Sequence, residues 1–173
     1  MLTLALLRHA KSSKDNPAID DFNRPLNPRG QAAAPESGKT LKQLGFQPDL
    51  ILCSPARRTR ETLDLALPQM MGPMPAITFD PALYHATAAH HMATVRAAPS
   101  QASRILIVGH NPGLYGLALI LTGTADDKIL ARLNEGFPTA AIAILEFDAA
   151  AWRDIAAASG KLTHFITPRG ARD

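Results

Sequence analysis

Two histidines and two arginines in this 173-residue chain stand where they could act together on a phosphoryl group. Arg8-His9 breaks off an apolar run abruptly. His110 lies in Val108-Gly109-His110-Asn111-Pro112, directly after a second apolar run. Arg58 falls in the first turn of a helix expected after Ser54-Pro55, where a cation opposes the helix dipole. An anion bound in front of that helix would account for it. Arginine forks match phosphate oxygens, and a neutral imidazole can attack phosphorus. A second histidine beside the first can donate a hydrogen bond to the group in transfer. Each residue alone has a plainer reading: a surface charge, a satisfied loop histidine, an incidental histidine in a capping turn. Their convergence at one place is what points to phosphate chemistry.

The elements needed to bring them together are legible. Apolar strands are expected at residues 2–7, 49–53, 76–79 and 105–108, and two more at 139–147 and 162–166. Asn27-Pro28, Ser54-Pro55 and Asn111-Pro112 each read as a cap followed by proline, a helix-opening signal. They predict helices to about Leu44, to about Met71 and over 113–121, and Thr87 can cap another over 88–97. Residues 124–138 read as irregular or a short helix, with a turn or short helix near Trp152. Strands alternating with helices predict an α/β protein: one domain over 1–173, a three-layer αβα sandwich with a mostly parallel sheet of about six strands, the closeness of the last two pointing to an antiparallel edge. Ligands of such sheets sit beyond the carboxyl ends of the strands. Arg8-His9, Ser54-Pro55 and Gly109-His110 all leave strands at that edge.

Composition narrows the class. The chain is 46% hydrophobic and 19% charged, ordinary for a globular protein. Nine aromatic residues leave the core to Ala, Leu and Ile. Cys53, the single cysteine, excludes an intramolecular disulfide and a Cys-rich zinc site, and reads as a small buried residue. Residues 1–60 carry ten Lys/Arg against five Asp/Glu, and the remainder eight against ten. A basic first third favours an anionic partner. Without a lysine run or arginine-aromatic interleaving, nucleic acid is not expected. No apolar run approaches the ~20 residues of a membrane span, and residues 1–7 lack the basic start and cleavage site of a signal peptide. A cytoplasmic protein with no membrane partner is expected.

Leu7-Arg8-His9-Ala10-Lys11-Ser12 resembles the Arg-His-Gly/Ala signature of the histidine phosphatase superfamily, whose fold is phosphoglycerate-mutase-like. Ser54-Pro55-Ala56-Arg57-Arg58-Thr59-Arg60-Glu61-Thr62 is similar to its Ser-Pro-x-x-Arg-Ala-x-x-Thr segment, with Thr59 in place of the usual Ala. Val108-Gly109-His110-Asn111-Pro112 resembles the motif of its second histidine. Asp21-Phe22-Asn23-Arg24-Pro25-Leu26-Asn27-Pro28-Arg29-Gly30 and Pro48-Asp49-Leu50-Ile51-Leu52-Cys53-Ser54-Pro55 further resemble the short branch typified by SixA phosphohistidine phosphatases. The matches span about residues 2–122.

That resemblance implies that His9 is the phosphorylated nucleophile and that Arg8, Arg58 and His110 complete the pocket. It implies neither cofactor nor metal. Arg24, in a loop over the same edge, and Arg57 are further candidates for substrate contact; Arg57 and Arg60 read equally well as solvated helix charges. His85, His90 and His91 read as a solvated face of an alanine-rich helix, and His164 as structural. Larger relatives often place a Glu after the third strand as general acid. Here that stretch reads Phe79-Asp80-Pro81-Ala82-Leu83-Tyr84-His85, so Asp80 is the candidate acid, with Asp20 and Asp21 behind it. An alkoxide leaving group needs such an acid more than an imidazole does. The expectation is a phosphohistidine phosphatase acting on a phosphohistidine-bearing protein. A phosphomonoesterase for a small phosphate substrate is the alternative, and a non-catalytic phosphoprotein-binding module the third reading.

Overall fold

The computed structural model describes residues 1–70 and 72–170. The elements run β1 (Leu2–Arg8), α1 (Pro28–Gln43), β2 (Leu50–Cys53), α2 (Arg57–Met70), β3 (Ala76–Phe79), α3 (Ala88–Arg96), β4 (Arg104–Gly109), α4 (Gly113–Leu121), β5 (Thr122–Ala125), α5 (Asp127–Asn134), β6 (Ile142–Phe147) and β7 (Gly160–Ile166). Short 3-10 turns occupy Asp21–Asn23, Pro81–Leu83 and Trp152–Asp154. The expected end of the second helix at Met71 lies outside the described residues.

One sheet takes all seven strands in the order β3-β2-β4-β1-β6-β7-β5. Along β1, Leu4 and Leu6 face one core and Ala5 and Leu7 the other. A strand apolar on both sides is the mark of a sheet covered on both faces. α1 and α2 supply Leu41, Leu63 and Met70 to one cover. α3, α4 and α5 supply Val95, Leu117, Leu121 and Leu133 to the other. The result is the αβα sandwich, mostly parallel, of the phosphoglycerate-mutase-like fold. Leu dominates its core, but Trp152, Phe147 and Phe165 are among its largest fully buried side chains.

Two details differ from the sequence reading. Among the described residues there are seven strands rather than about six, because Thr122–Ala125 leaves α4 without a break and pairs in parallel with β7. Thr-Gly-Thr-Ala has neither an apolar run nor alternation, so only its tertiary partner makes it a strand. The antiparallel strand is not at an edge. β6 lies inside the sheet, antiparallel to both β1 and β7. Within residues 124–138, read as irregular or a short helix, the short helix α5 forms, capped by Asp126, whose carboxylate accepts from Lys128 N.

The covering helices are held by close approach. A Cβ on Gly38 of α1 would lie 2.0 Å from the Ala66 carbonyl oxygen of α2, and one on Gly30 would lie 2.1 Å from the Lys11 carbonyl oxygen. Backbone at that distance cannot yield as a flexible side chain can. Gly38→Ala is therefore expected to prise α1 from α2 and destabilise the protein by about 1–3 kcal/mol or more, read as a lowered midpoint in denaturant unfolding.

Candidate active site

Three adjacent parallel strands end level. Arg8 of β1 pairs with Gly109 of β4, and Cys53 of β2 pairs with Val108. The ladder continues one step beyond the strands: His9 N donates to Gly109 O at 3.0 Å and Ser54 N to Val108 O at 3.0 Å. His9, Ser54 and His110 thus leave the carboxyl edge side by side. The two imidazoles stand 5.2 Å apart between centroids.

His9 is 7% exposed. Its Nδ1 lies 2.8 Å from the carbonyl oxygen of Ala10. Only a protonated Nδ1 can make that bond, so the lone pair of the neutral ring is on Nε2. The carbonyl is itself held: Ala10 N donates to Thr62 Oγ1 at 2.9 Å, and Thr62 Oγ1 donates to Arg58 O at 2.6 Å. One threonine on α2 thereby ties the His9 backbone to the helix that carries Arg58.

His110, 8% exposed, is hydrogen-bonded through Nε2 to Ser54 Oγ at 2.7 Å. Ser54 therefore does not act as the helix cap expected of it. α2 begins only at Arg57, and the Ser54 side chain serves the second histidine. Asn111 is no cap either; its Nδ2 donates to Phe137 O at 2.7 Å, and α4 starts without a side-chain cap. Arg8 Nη1 donates to the same Phe137 carbonyl at 3.0 Å, so one oxygen fixes both residues. Thr59, the departure from the family pattern, donates to Ser54 O at 2.7 Å and Ala56 O at 2.8 Å within the turn.

Arg58 is 5% exposed. Its Nη1 donates to Asp21 O at 2.6 Å and its Nη2 to Asp21 Oδ2 at 3.1 Å. Tyr84 Oη donates to that same Oδ2 at 2.5 Å, while Arg24 Nε and Nη2 donate to Asp21 Oδ1 at 3.0 and 2.8 Å. The Tyr84 hydroxyl and the two guanidiniums hold the Asp21 carboxyl well below the usual carboxylate range. Asp21 is thus a permanent anion that orients Arg58, a role its place in a polar loop did not disclose. Arg24 also reaches Ser12 Oγ at 2.8 Å, so it braces the loop around Asp21.

Other candidates separate from this group. Asp80 caps the Pro81–Leu83 turn, with Oδ1 accepting from Ala82 N at 2.9 Å. Asp20 caps the Asp21–Asn23 turn in the same way. Arg57 is exposed and pairs with Glu61 at 2.6 Å, and Arg60 is exposed. His85 and His90 are exposed, as expected. His91 is not: it is fully buried, and neither ring nitrogen has a hydrogen-bond partner. It fills the space beside the site turn, its Cδ2 3.0 Å from where a Cβ on Gly113 would stand. Alanines on both sides of α3 left no apolar stripe to show which histidine faces inward. His164 is a partly buried residue of β7. Cys53 is buried, and burial pushes its thiol up to about 12. Among the described residues no helix is long and apolar enough to cross a membrane.

Burial keeps three imidazoles neutral. It lowers His9 to about 3, against the pull of the Ala10 carbonyl and with help from His110, Arg58 and Arg8. His110 also falls to about 3, through burial and then Arg58. His91 falls to about 4 through burial and then His90. His9 Nε2 therefore keeps its lone pair until the pH falls toward about 3. Unfolded, each ring would take a proton below about 6.5. The unfolded chain then binds more protons than the native one, so stability falls as pH drops from about 6.5 toward 4. Denaturant unfolding across that window should show an excess uptake approaching about three protons at pH 4–5 beyond that of the carboxylates. His91→Phe should reduce it by about one.

The family model of the histidine phosphatase superfamily (branch 1) matches residues 4–85. An uncharacterized chloroplast protein of Arabidopsis thaliana is 38% identical over 130 residues, 70% of this chain, which spans 60% of that relative's length. An uncharacterized protein of Mycobacterium tuberculosis is 32% identical over 165 residues, 94% of this chain and 100% of the relative. The solved structure of a Nakamurella multipartitia protein, assigned there as a candidate SixA phosphohistidine phosphatase, is 30% identical with a TM-score of 0.81, over 98% of this chain and 97% of that one. With two neutral imidazoles and two guanidiniums at one sheet edge, these likenesses make the chain a SixA-like phosphatase belonging to branch 1 of the histidine phosphatase superfamily.

Proposed function

We propose that this phosphatase removes phosphate from phosphohistidine on a protein, through a phospho-His9 intermediate. The observation that carries the reading is the state of Asp21. The carboxylate that reaches the arginine of the pocket is held ionised by Tyr84, Arg24 and Arg58, and so has no proton to give an alkoxide. Asp80, the acid suggested by position, is occupied as a turn cap. With the two candidate carboxylates spent in this way, the site suits a leaving group that departs neutral.

Phosphohistidine protonated on its other ring nitrogen is such a group. His9 Nε2 donates its lone pair to phosphorus as the P–N bond of the substrate breaks. The bonding pair returns to the substrate ring, which leaves as neutral imidazole. Phospho-His9 keeps its Nδ1 proton on the Ala10 carbonyl. Water then forms a P–O bond as the P–Nε2 bond breaks. Dihydrogen phosphate departs and His9 is neutral again. Arg8 and His110 flank the transferred group. Asp21 takes one donor from each Nη of Arg58, which leaves three of the five guanidinium N–H groups, Nε–H among them, for phosphoryl oxygens. These donors are in place before substrate arrives, the arrangement that lowers the barrier most.

The test is kcat/KM for a phosphohistidine protein, an aryl phosphate and an alkyl phosphate. The first should lead the last by orders of magnitude, Asp80→Asn should leave phosphohistidine turnover nearly unchanged, and His9→Ala should abolish turnover together with acid-labile labelling by a phosphodonor. An alkyl phosphate as best substrate, with activity lost in Asp80→Asn, would establish the metabolite phosphomonoesterase instead. Binding of a phosphoprotein with neither His9 labelling nor turnover of any substrate would establish the binding module.

The two neighbouring arginines should part company. Arg58→Ala is expected to cost about 100-fold or more in rate. Arg57→Ala, which breaks only an exposed ion pair with Glu61, should change kcat by less than about 3-fold and act chiefly on salt dependence. Steady-state kinetics at two ionic strengths separates them.

A further inference from the structure

The site continues outward as a row of rings that phosphate chemistry alone does not require. His9 contacts His110, His110 contacts Tyr84 edge-to-face at 5.6 Å, and Tyr84 contacts Phe22 edge-to-face at 5.0 Å. The row climbs from two buried imidazoles to two half-buried aromatic rings. Neither Phe22 nor Tyr84 joins any of the apolar cores, so packing does not explain them.

Tyr84 is also fixed with unusual care for a half-buried side chain. Its hydroxyl donates to Asp21 Oδ2, the oxygen that Arg58 Nη2 shares, and the Arg58 guanidinium carbon lies 5.8 Å over its ring. Phe22 stands on the same Asp21–Asn23 turn that supplies Asp21. Both rings are therefore held relative to Arg58 by one carboxylate, so little ordering cost remains when something docks against them.

We propose that Phe22 and Tyr84 form a leaving-group subsite that selects flat, aromatic leaving groups. This rests on the reading of His9 as the attacking group. In-line transfer puts the leaving group on the side of phosphorus away from His9, toward the mouth. A planar ring arriving there meets Tyr84 and Phe22, and an aromatic pair favours it over a puckered ring of equal size by roughly 2- to 10-fold per contact. The chemical class is an imidazole or phenol rather than an aliphatic alcohol.

The measurement is calorimetric binding of phenylphosphonate and cyclohexylphosphonate, whose P–C bonds survive in the site. The wild type should prefer the phenyl compound. Tyr84→Leu and Phe22→Leu should each narrow that preference by roughly 2- to 10-fold. Tyr84→Phe, which keeps the ring and loses the Asp21 bond, should weaken both ligands in parallel and hold their ratio. An unchanged ratio in both leucine variants overturns the subsite. So does a Tyr84→Phe ratio as low as that of Tyr84→Leu, which would assign the effect to the hydroxyl. Should Tyr84→Leu fail to fold, Phe22→Leu in the surface turn decides alone. Because binding is read without turnover, failure of phosphohistidine as substrate would leave this result standing, and the reverse also holds.

Discussion

Everything at the candidate site hangs from the register of three parallel strands. β2, β4 and β1 are neighbours and end at the same height. Residues one step past those ends have nowhere to go but over the same edge. His9 and Ser54 remain tied to the ladder by their own N–H groups, which are spent on Gly109 O and Val108 O. A one-residue slip in either pairing would turn every side chain of a strand to the other face, and both faces of β1 are filled with fully buried aliphatic groups. The same burial that holds the sheet together therefore fixes where the imidazoles stand.

A second constraint is electrostatic. Two guanidiniums beside two imidazoles would be self-repelling if the rings were protonated. Burial removes that possibility by holding both rings neutral. The cost of a nearly buried Arg58 is offset by Asp21, whose carbonyl and carboxylate each accept one of its donors. Asp21 is in turn gripped by Arg24 and Tyr84. A surface loop that looks unstructured in sequence is thus a counter-charge delivered to the pocket, and its aromatic neighbours come with it.

Much of this was legible beforehand. His9, Arg8, Arg58 and His110 were visible because each sits at a fixed offset from an apolar run, and strands on both sides of a covered sheet must be apolar. Asn27 really is a helix cap, its carboxamide accepting from Gly30 N. Ser54 and Asn111 present the same local signal and are not used that way, because each side chain finds a stronger tertiary partner, in His110 and in Phe137 O. Local propensity proposes a cap; a buried acceptor at the right distance overrides it.

The sequence by itself determined the class of fold, the order of the main strands and helices, and the placing of Arg8, His9, Arg58 and His110 toward one sheet edge. These are properties of spacing along the chain. Tertiary structure decided the rest: that Thr122–Ala125 is a strand, that β6 lies inside the sheet, that His91 is buried, and that Asp21 and Tyr84 join Arg58. Tyr84 and Asp21 are 63 residues apart and share no local pattern. Hydrogen bonds between segments so far apart depend on where the folded sheet edge brings them, and no periodicity records that.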